Sequence, residues 1–203
     1  MLLQAELIQS ATTDPEILEC VQDIIRTGRR GADLVARLGL SLREDIPVVP
    51  NPIDLKTVVD EAVETSRAIW EVASKLEGRK IELKVDIDDD LSPVMTTESG
   101  LIDIVIDLIN NANEALPKGG KITISATQTG NKVRLTVHDD GVGMHTHSLE
   151  HATSPFFTTK NDVGSGLGLS TIENLVNAWG GYLDLASKPG HGTTVLVVLP
   201  TAE

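Results

Sequence analysis

The segment DLINNANEAL, residues 107–116, is the first of four polar or glycine-rich segments that decide how this chain is interpreted. It is followed by HDDGVGM at 138–144, PFFTTKNDVGSGLGLS at 155–170 and GHGTT at 190–194. The first segment places carboxylate and amide side chains on a helix, and the other three supply glycines where backbone must approach a ligand. One such match would be weak evidence for a binding site, whereas four in a fixed order are strong evidence.

The first segment belongs to a predicted helix over residues 98–116 that has one apolar and one polar face. The polar face consists of Asp103, Asp107, Asn110, Asn111 and Glu114. Asp107 and Asn111 are four residues apart, so they project together and offer the oxygen ligands that Mg²⁺ takes alongside water and phosphate. A solvated helix face is the alternative, which amphipathicity alone would favour. The glycine motifs downstream favour a ligand.

The second segment follows an apolar strand, so Asp139 emerges at the end of that strand and Gly141 and Gly143 come next. A carboxylate in this place can accept a hydrogen bond from an exocyclic amine such as that of adenine. The two glycines are positioned where side chains would obstruct a flat ligand. A tight turn explains the same residues, and for this segment alone the turn is the better explanation.

The third segment leads into a predicted helix over residues 167–179. A glycine-rich entry to a helix presents free N–H groups and a positive dipole end to phosphate oxygens. Lys160 could reach a terminal phosphate as a point charge, and Thr158 and Thr159 could add hydroxyl donors. An exposed loop lysine is an equally good explanation of Lys160. Together, the four segments predict an ATP site.

The composition is that of a globular protein, with 203 residues, 40% hydrophobic residues and five aromatic residues. The core must therefore be built from Ile, Leu and Val, which suits a sheet covered by helices on one side. The formal net charge of −13 makes nucleic acid a poor partner, because phosphate-backbone binding needs a basic surface. A single cysteine excludes an internal disulfide, and no stretch approaches the ~20 apolar residues of a membrane span. We therefore expect a cytoplasmic protein.

The N-terminal region carries a heptad pattern. A helix is predicted to begin at Asp14-Pro15, and apolar or small residues then recur at alternating spacings of four and three as far as Leu38. Because such a stripe must be covered, we expect a homodimer through the helix at 14–40. SLREDIPVVPNP, with three prolines, is predicted to be a linker. The expected domains are a partial helical dimerisation segment at 1–46 and an ATP-binding catalytic domain at 47–203.

Residues 47–203 alternate between helical and strand periodicity. Helices are predicted over 54–76, 98–116 and 167–179, and strands over 81–87, 121–128, 132–139, 181–187 and 193–200. The strands at 121–128 and 132–139 form a predicted hairpin. Residues 144–165 are polar and punctuated by glycine, which indicates a long functional loop.

With its motifs in this order, the chain resembles the catalytic, ATP-binding domain of sensor histidine kinases, in the superfamily shared with gyrase, Hsp90 and MutL. The similarity covers roughly Asn51 to Pro200. DLINNANEA resembles the N box, DDGVG and GSGLGL the two glycine boxes, SPFFTTK the F box, and GHGTT the final glycine turn. The resemblance implies an α+β fold: a two-layer α/β sandwich with a mixed sheet, of the Bergerat ATP-binding type, preceded by a helical dimerisation segment.

The resemblance also assigns roles by position. Asn111 would chelate Mg²⁺ together with Asp107, Asp139 would bind adenine, and the glycines would shape the pocket and its lid. Asp107, Asn111 and Lys160 are the expected catalytic residues. The expected nucleotide contacts are Asn111, Glu114, Asp139, Gly141, Gly143, Thr158, Thr159, Lys160, Gly164, Ser165, Gly166, Leu167, Gly168 and Thr193.

Two departures from the family pattern shape the expected function. The sequence has no histidine before His138, so autophosphorylation by this chain alone is not expected. The acceptor histidine would lie in trans or on a missing N-terminal segment. Asp107 stands where these kinases usually have Asn, and it resembles the glutamate general base of ATP-hydrolysing relatives.

We therefore expect a protein-histidine kinase that uses Mg-ATP and feeds a response regulator receiver domain. A non-catalytic nucleotide-binding interaction module and an ATPase using Asp107 are the alternatives.

Overall fold

The computed structural model describes residues 49–76, 78–158 and 166–202, together with six residues near the N-terminus. These six are Thr12, Asp14, Ile17, Leu18, Cys20 and Val21. Within 49–76, the side chains at 68, 69, 72, 73, 75 and 76 lie outside the description. The chain divides into two compact units, one of residues 1–47 with 154–167, the other of residues 48–153 with 168–203.

In the first unit, the described residues from Ile17 to Val21 are helical, and the N–H of Leu18 donates to the carbonyl of Asp14 at 2.9 Å. The helix start predicted at Asp14-Pro15 agrees with this bond. The remainder of the predicted heptad helix at 14–40 lies outside the described residues, as does most of the predicted linker. The dimer and the boundary at residue 47 therefore stay predictions.

The second unit contains four helices and seven strands among the described residues. The strands are β1 (Asn51–Ile53), β2 (Ile81–Ile87), β3 (Val94–Thr96), β4 (Gly120–Thr129), β5 (Lys132–Asp139), β6 (Tyr182–Ser187) and β7 (Thr193–Pro200). The helices are α1 (Leu55–Leu76), α2 (Glu98–Glu114), α3 (Thr146–Glu150) and α4 (Gly168–Ala178).

Five of the strands form one mixed sheet in the order β2-β4-β5-β7-β6. β2 runs parallel to β4, and every other pair in the sheet is antiparallel. β1 and β3 form a separate antiparallel pair. In the register of β5 and β7, Asp139 lies opposite Thr193, so the end of the second motif meets the beginning of the last strand.

The helices cover one face of the sheet because β2, β4, β5 and β6 alternate in burial. On β4, Ile122, Ile124 and Ala126 are buried, whereas Lys121 and Thr127 are exposed. β5 alternates in the same way. The apolar face of α2 packs on β4 and β5, and α1 packs on α2. Burial of one such large aliphatic side chain contributes about 1.5–3 kcal/mol, so this two-layer arrangement is the main source of stability.

Local capping fixes where α1 begins. The carboxylate of Asp54 accepts hydrogen bonds from the N–H of Lys56 at 3.1 Å and from the hydroxyl of Thr57 at 2.7 Å. These bonds satisfy donors that have no partner within the first helical turn. The helix therefore starts at Leu55, one residue after the predicted start.

Two parts of the predicted organisation differ from the structure. Asn51 and Pro52 were assigned to the linker, but they belong to β1, which pairs with β3. The predicted loop at 144–165 contains α3. Both elements are too short for periodicity to appear in the sequence, and β1 forms through a pairing with a distant segment. Among the described residues, no helix is both long and apolar enough to cross a membrane.

Candidate functional site

The polar face of α2 provides the predicted phosphate and metal ligands. Asp107 and Asn111 are half-buried, and Glu114 is exposed. The opposite face of the helix is fully packed, with Leu101, Ile104, Val105, Leu108, Ile109 and Ala112 buried. The core therefore fixes the rotation of the helix. Asp107 and Asn111 are thus held side by side at the margin of the core.

The C-terminal end of α2 is held by Arg79, which follows α1. Its Nη1 donates to the carbonyls of Asn113 at 3.2 Å and Leu116 at 3.0 Å, and to the side-chain oxygen of Asn113 at 3.2 Å. The same two carbonyls also accept from the N–H groups of Leu116 and Gly119, so the guanidinium adds a second donor to each and complements the negative end of the helix dipole. The sequence assigned Arg79 no role, because its acceptors lie more than thirty residues away.

Asp139 is the last residue of β5, and its side chain is 5% exposed. Its Oδ1 accepts a hydrogen bond from the N–H of Gly141 at 2.9 Å, and the backbone of Thr193 also bonds to the carboxyl. Burial raises the pKa of Asp139 above its ordinary value of 3.8, while these two hydrogen bonds act in the opposite direction. An ionised carboxylate has about four acceptor positions, so it retains capacity for a ligand amine.

The loop after Asp139 passes against the end of α2. The N–H of Val142 donates to the carbonyl of Ala115 at 2.9 Å, and a Cβ at Gly141 would overlap with that same carbonyl oxygen. Glycine at 141 is therefore required by a close backbone approach. Through this contact, the loop of the predicted adenine site is bonded to the end of α2. Asn111 lies on the same helix, one turn before Ala115.

Gly143 permits a second close approach, to the turn between β6 and β7. Its φ is +65°, and a Cβ there would overlap with the carbonyl of Lys188. The N–H of Gly190 donates to the carbonyl of Val142 at 2.8 Å. Glycine is thus needed at 143 for both conformation and space. The segments HDDGVGM and GHGTT, 46 residues apart or more in sequence, are brought into direct contact.

Ser187 was not among the predicted site residues, although it joins the same two segments. Its hydroxyl lies 2.8 Å from the N–H of Met144, 2.9 Å from the carbonyl of Gly192 and 2.9 Å from the hydroxyl of Thr193. Nothing in the sequence around a serine at the end of a strand indicates that it links two distant segments. Its partners are specified by strand pairing and not by local pattern.

The predicted nucleotide contacts fall into three groups. Those in the second unit are Asn111, Glu114, Asp139, Gly141, Gly143, Gly168 and Thr193, and those in the first unit are Thr158, Gly166 and Leu167. Thr159, Lys160, Gly164 and Ser165 lie outside the described residues. The structure brings Asp139, Gly141, Gly143 and Thr193 together, and Gly168 is the first residue of α4. Their roles as nucleotide contacts stay predictions.

The donor set on α2 fits Mg²⁺ better than a transition metal. Asp107 and Asn111 offer a carboxylate and an amide oxygen, which are hard ligands. In the part of the chain that the structure describes, no group of three or more His, Cys, Asp or Glu residues could hold a metal. An ion that keeps its waters and binds substrate phosphates through one or two protein oxygens is compatible with this arrangement.

Comparison with known proteins assigns the fold and the motifs to one family. Residues 96–203 match the family model described as "Histidine kinase-, DNA gyrase B-, and HSP90-like ATPase". Sensor histidine kinase ZraS of Escherichia coli (strain K12) is 30% identical over 148 residues, which cover 73% of this chain and 30% of that protein. Sensor kinase CckA of Brucella abortus (strain 2308) is 30% identical over 210 residues, covering 96% of this chain and 21% of that protein.

The solved structure of the mycobacterial sensor histidine kinase MprB matches with a TM-score of 0.61 and 28% identity, covering 75% of this chain and 98% of that one. The predicted two-layer fold with a mixed sheet and the resemblance to sensor histidine kinases are confirmed. The chain spans about a third or less of the length of the two kinases compared by sequence. It belongs to the histidine kinase-, DNA gyrase B- and HSP90-like ATPase family.

Proposed function

We propose that this chain binds Mg-ATP and transfers the γ-phosphoryl group to a histidine that lies outside these 203 residues, either in trans or on a preceding segment. The observation that carries the proposal is the buried Asp139 carboxylate, which is held by backbone N–H groups and followed by two glycine-requiring contacts at Gly141 and Gly143. Family membership supports the nucleotide, and the named relatives support the histidine acceptor.

At the adenine end, Asp139 accepts a hydrogen bond from the exocyclic amine. Its two backbone donors fix the carboxylate before the nucleotide arrives, so little ordering entropy is lost on binding. The glycines at 141 and 143 let the loop after Asp139 lie against Ala115 and Lys188, which fixes its path beside the carboxylate. Burial strengthens this bond, because competing water is excluded.

At the phosphate end, Asn111 and Asp107 hold Mg²⁺ through their side-chain oxygens, and Glu114 lies one turn further along α2. The bound ion would neutralise charge on the phosphate oxygens. The N-terminus of α4, which begins at Gly168, is proposed to offer backbone N–H groups and the positive end of its dipole to the same oxygens. Thr158, Thr159 and Lys160 are proposed to complete the contacts with the terminal phosphate, as are Gly164, Ser165, Gly166 and Leu167.

The transfer itself needs little covalent chemistry from the protein. An imidazole nitrogen of the acceptor attacks the γ-phosphorus, the bond to the β,γ-bridging oxygen breaks, and ADP leaves. The imidazole loses its proton to solvent or to a nearby base. Catalysis rests on positioning and charge neutralisation, with Asp107, Asn111 and Lys160 as the proposed catalytic residues.

The partners follow from the same proposal. The phosphohistidine would serve a response regulator receiver domain, and a homodimer through the helix at 14–40 would bring the acceptor to the ATP site. A cytoplasmic location agrees with the use of ATP. We do not propose nucleic acid as a partner, because the net charge is −13.

The proposal is tested by incubating the protein with γ-labelled ATP and a histidine-bearing homologue whose nucleotide site has been inactivated. The expected result is label on the homologue that is stable to base and labile to acid, as for phosphohistidine. Loss of label when the acceptor histidine is replaced by Gln is the matched control. Tight ATP binding without label on any acceptor would support the non-catalytic module instead.

The ATPase alternative rests on Asp107, which is a half-buried carboxylate on the face that carries Asn111. A carboxylate there is able to act as a general base on water. Asp107→Asn decides between the alternatives in a steady-state phosphate-release assay. Loss of release supports hydrolysis by Asp107, and unchanged release excludes it.

A further inference from the structure

The hydroxyl of Ser187 stands at the junction of three backbone segments in the second unit. It donates to the carbonyl of Gly192 at 2.9 Å and accepts from the N–H of Met144 at 2.8 Å. The hydroxyl of Thr193, at 2.9 Å, is its third partner. Since a serine hydroxyl has one donor and two acceptor positions, these three contacts use its complete hydrogen-bonding capacity.

Each of the three partners borders the predicted adenine site. Met144 directly follows the glycine loop, and Thr193 bonds through its backbone to the carboxyl of Asp139. Gly192 packs so closely on Asp139 that a Cβ there would overlap with the carbonyl oxygen of Asp139. Ser187 is therefore one residue removed from Asp139 on two routes: through Thr193 to its carboxylate, and through Gly192 to its backbone carbonyl.

We propose that Ser187 is a positioning residue for adenine recognition. By fixing Thr193 and Met144, its hydroxyl holds the Asp139 carboxylate in line with the exocyclic amine of the base. This inference rests on the proposed function, since it requires that Asp139 receives adenine. According to this inference, Ser187 contributes to selectivity for bases that carry the 6-amino group, in addition to its contribution to stability.

A serine that only closes the turn between β6 and β7 would behave differently. Loss of such a residue would destabilise the fold, or weaken all nucleotides equally. Loss of a residue that aligns Asp139 weakens the ligand that carries the amine and spares the ligand that lacks it. The ratio of the two affinities therefore separates a positioning role from a structural one.

The experiment measures, by calorimetry, the affinity of the full chain for ATP and for purine riboside triphosphate, which lacks the exocyclic amine. Ser187→Ala is compared with the wild-type chain and with Ser125→Ala, which removes a hydroxyl from the outer face of β4. Ser187→Ala is expected to lower ATP affinity about tenfold, which is the loss of one to two hydrogen bonds. Affinity for the purine analogue should change by less than about twofold, and Ser125→Ala should match the wild-type chain on both ligands.

A second variant keeps the inference testable if Ser187→Ala does not fold. Thr193→Val removes the other hydroxyl of the pair and keeps the backbone N–H that bonds to Asp139. Its preference for ATP over the purine analogue is expected to fall as well. Retention of the wild-type preference by both variants, or by Thr193→Val alone if the other does not fold, would overturn the assignment.

The outcomes distinguish this inference from the proposed function. A wild-type chain that binds neither ligand contradicts ATP binding and overturns both. A wild-type chain that binds both ligands equally contradicts recognition of the amine by Asp139 and overturns the role of Ser187, while ATP binding stands. A wild-type chain that prefers ATP while the variants keep that preference overturns the role of Ser187 alone.

Discussion

The two ends of the candidate site are built in different ways. At the adenine end, Asp139 is buried and held by backbone donors from its own loop and from the last strand. At the phosphate end, Asp107 and Asn111 come from consecutive turns of one helix and are half-buried. The first arrangement depends on long-range strand pairing and the second on the spacing of side chains along α2.

Because the two ends are built differently, we expect mutations at each end to affect different properties. The base end is organised by the protein's own hydrogen bonds, so changes there should alter affinity strongly. At the proposed phosphate end, the side-chain oxygens of Asp107 and Asn111 are half-buried, so changes there should alter Mg²⁺ dependence and turnover. Five predictions test this contrast.

The largest effect is expected from Asp139→Asn. The amide cannot offer the ionised acceptor to the adenine amine, and a hydrogen bond to a charged group is worth about 1.5–3 kcal/mol, so ATP affinity should fall about 10- to 100-fold. The melting temperature should shift by less than about 5 °C, because the removed burial cost of the charge offsets the lost bonds. Calorimetric titration measures the affinity. Asp184→Asn, an equal charge change on the exposed surface of β6, should bind as the wild-type chain does.

Asn111→Ala should act on the metal and not on the base. Residues that merely support metal ligands change metal affinity about 10- to 100-fold, so loss of a ligand oxygen should reduce the Mg²⁺ enhancement of ATP binding at least tenfold. Binding of ADP without Mg²⁺ should stay within about threefold of the wild-type value. Asn177→Ala, exposed on α4, is the control. Equal losses with and without Mg²⁺ would contradict the contrast between the two ends.

Gly143→Ala tests whether the glycine loop must lie against the turn after β6. A non-glycine residue at positive φ costs about 1–3 kcal/mol, and overlap with the Lys188 carbonyl adds about 1–3 kcal/mol. Gly130→Ala is a matched control, since Gly130 has φ +60° and no neighbour within 4 Å of an added Cβ. Denaturant unfolding should show the larger loss at 143, accompanied by weaker ATP binding. Equal losses would mean that the close approach does not matter.

Arg79→Gln should loosen the end of α2 that the adenine loop contacts. Loss of the guanidinium bonds to the carbonyls of Asn113 and Leu116 should cost about 1–2 kcal/mol of unfolding free energy and lower the melting temperature by about 3–6 °C. ATP affinity should fall by less than about fivefold, because Asp139 keeps its own donors. Arg134→Gln on the outer face of β5 should leave both measurements unchanged.

The smallest effect is expected from acidification within the range where the protein stays folded. Because burial raises the pKa of Asp139 above 3.8, protonation of the free site begins at a higher pH than for an exposed aspartate. ATP affinity is therefore full above this raised pKa and is lost as the pH falls through it. Asp139→Asn should lack that component of the pH profile. Identical profiles for the two proteins would assign the titration to another group.

Sequence patterns predicted the placement of Asp107 and Asn111 more completely than the surroundings of Asp139. Helical spacing placed Asp107 and Asn111 on one face of α2, because residues four apart in a helix are neighbours. Alternation likewise predicted all five strands of the large sheet to within one residue at each end. The bounds of β2, β5 and β7 match, β4 begins and ends one residue further out, and β6 begins one residue later. Helix faces and strand bounds can be predicted because both follow from the local spacing of apolar and polar residues.

Sequence patterns could not reveal contacts made across the fold. Arg79 and Ser187 act on atoms of Asn113, Leu116, Met144 and Thr193, which are brought to them by helix packing and strand pairing. The pairing of β1 with β3 and the five-residue helix α3 were missed for a related reason, since neither is long enough to show a period. The order of the motifs identified the loop at 138–144. It did not reveal why glycine is needed there, which is the close approach of the loop to the carbonyls of Ala115 and Lys188.

The central claim, that the four motifs form one ATP site, is tested most directly by titrating the 203-residue chain with ATP in the presence of Mg²⁺ and measuring heat. We expect saturable binding of about one nucleotide per chain, which ADP competes for and GTP does not. Absence of saturable binding, or equal competition by GTP, would contradict it.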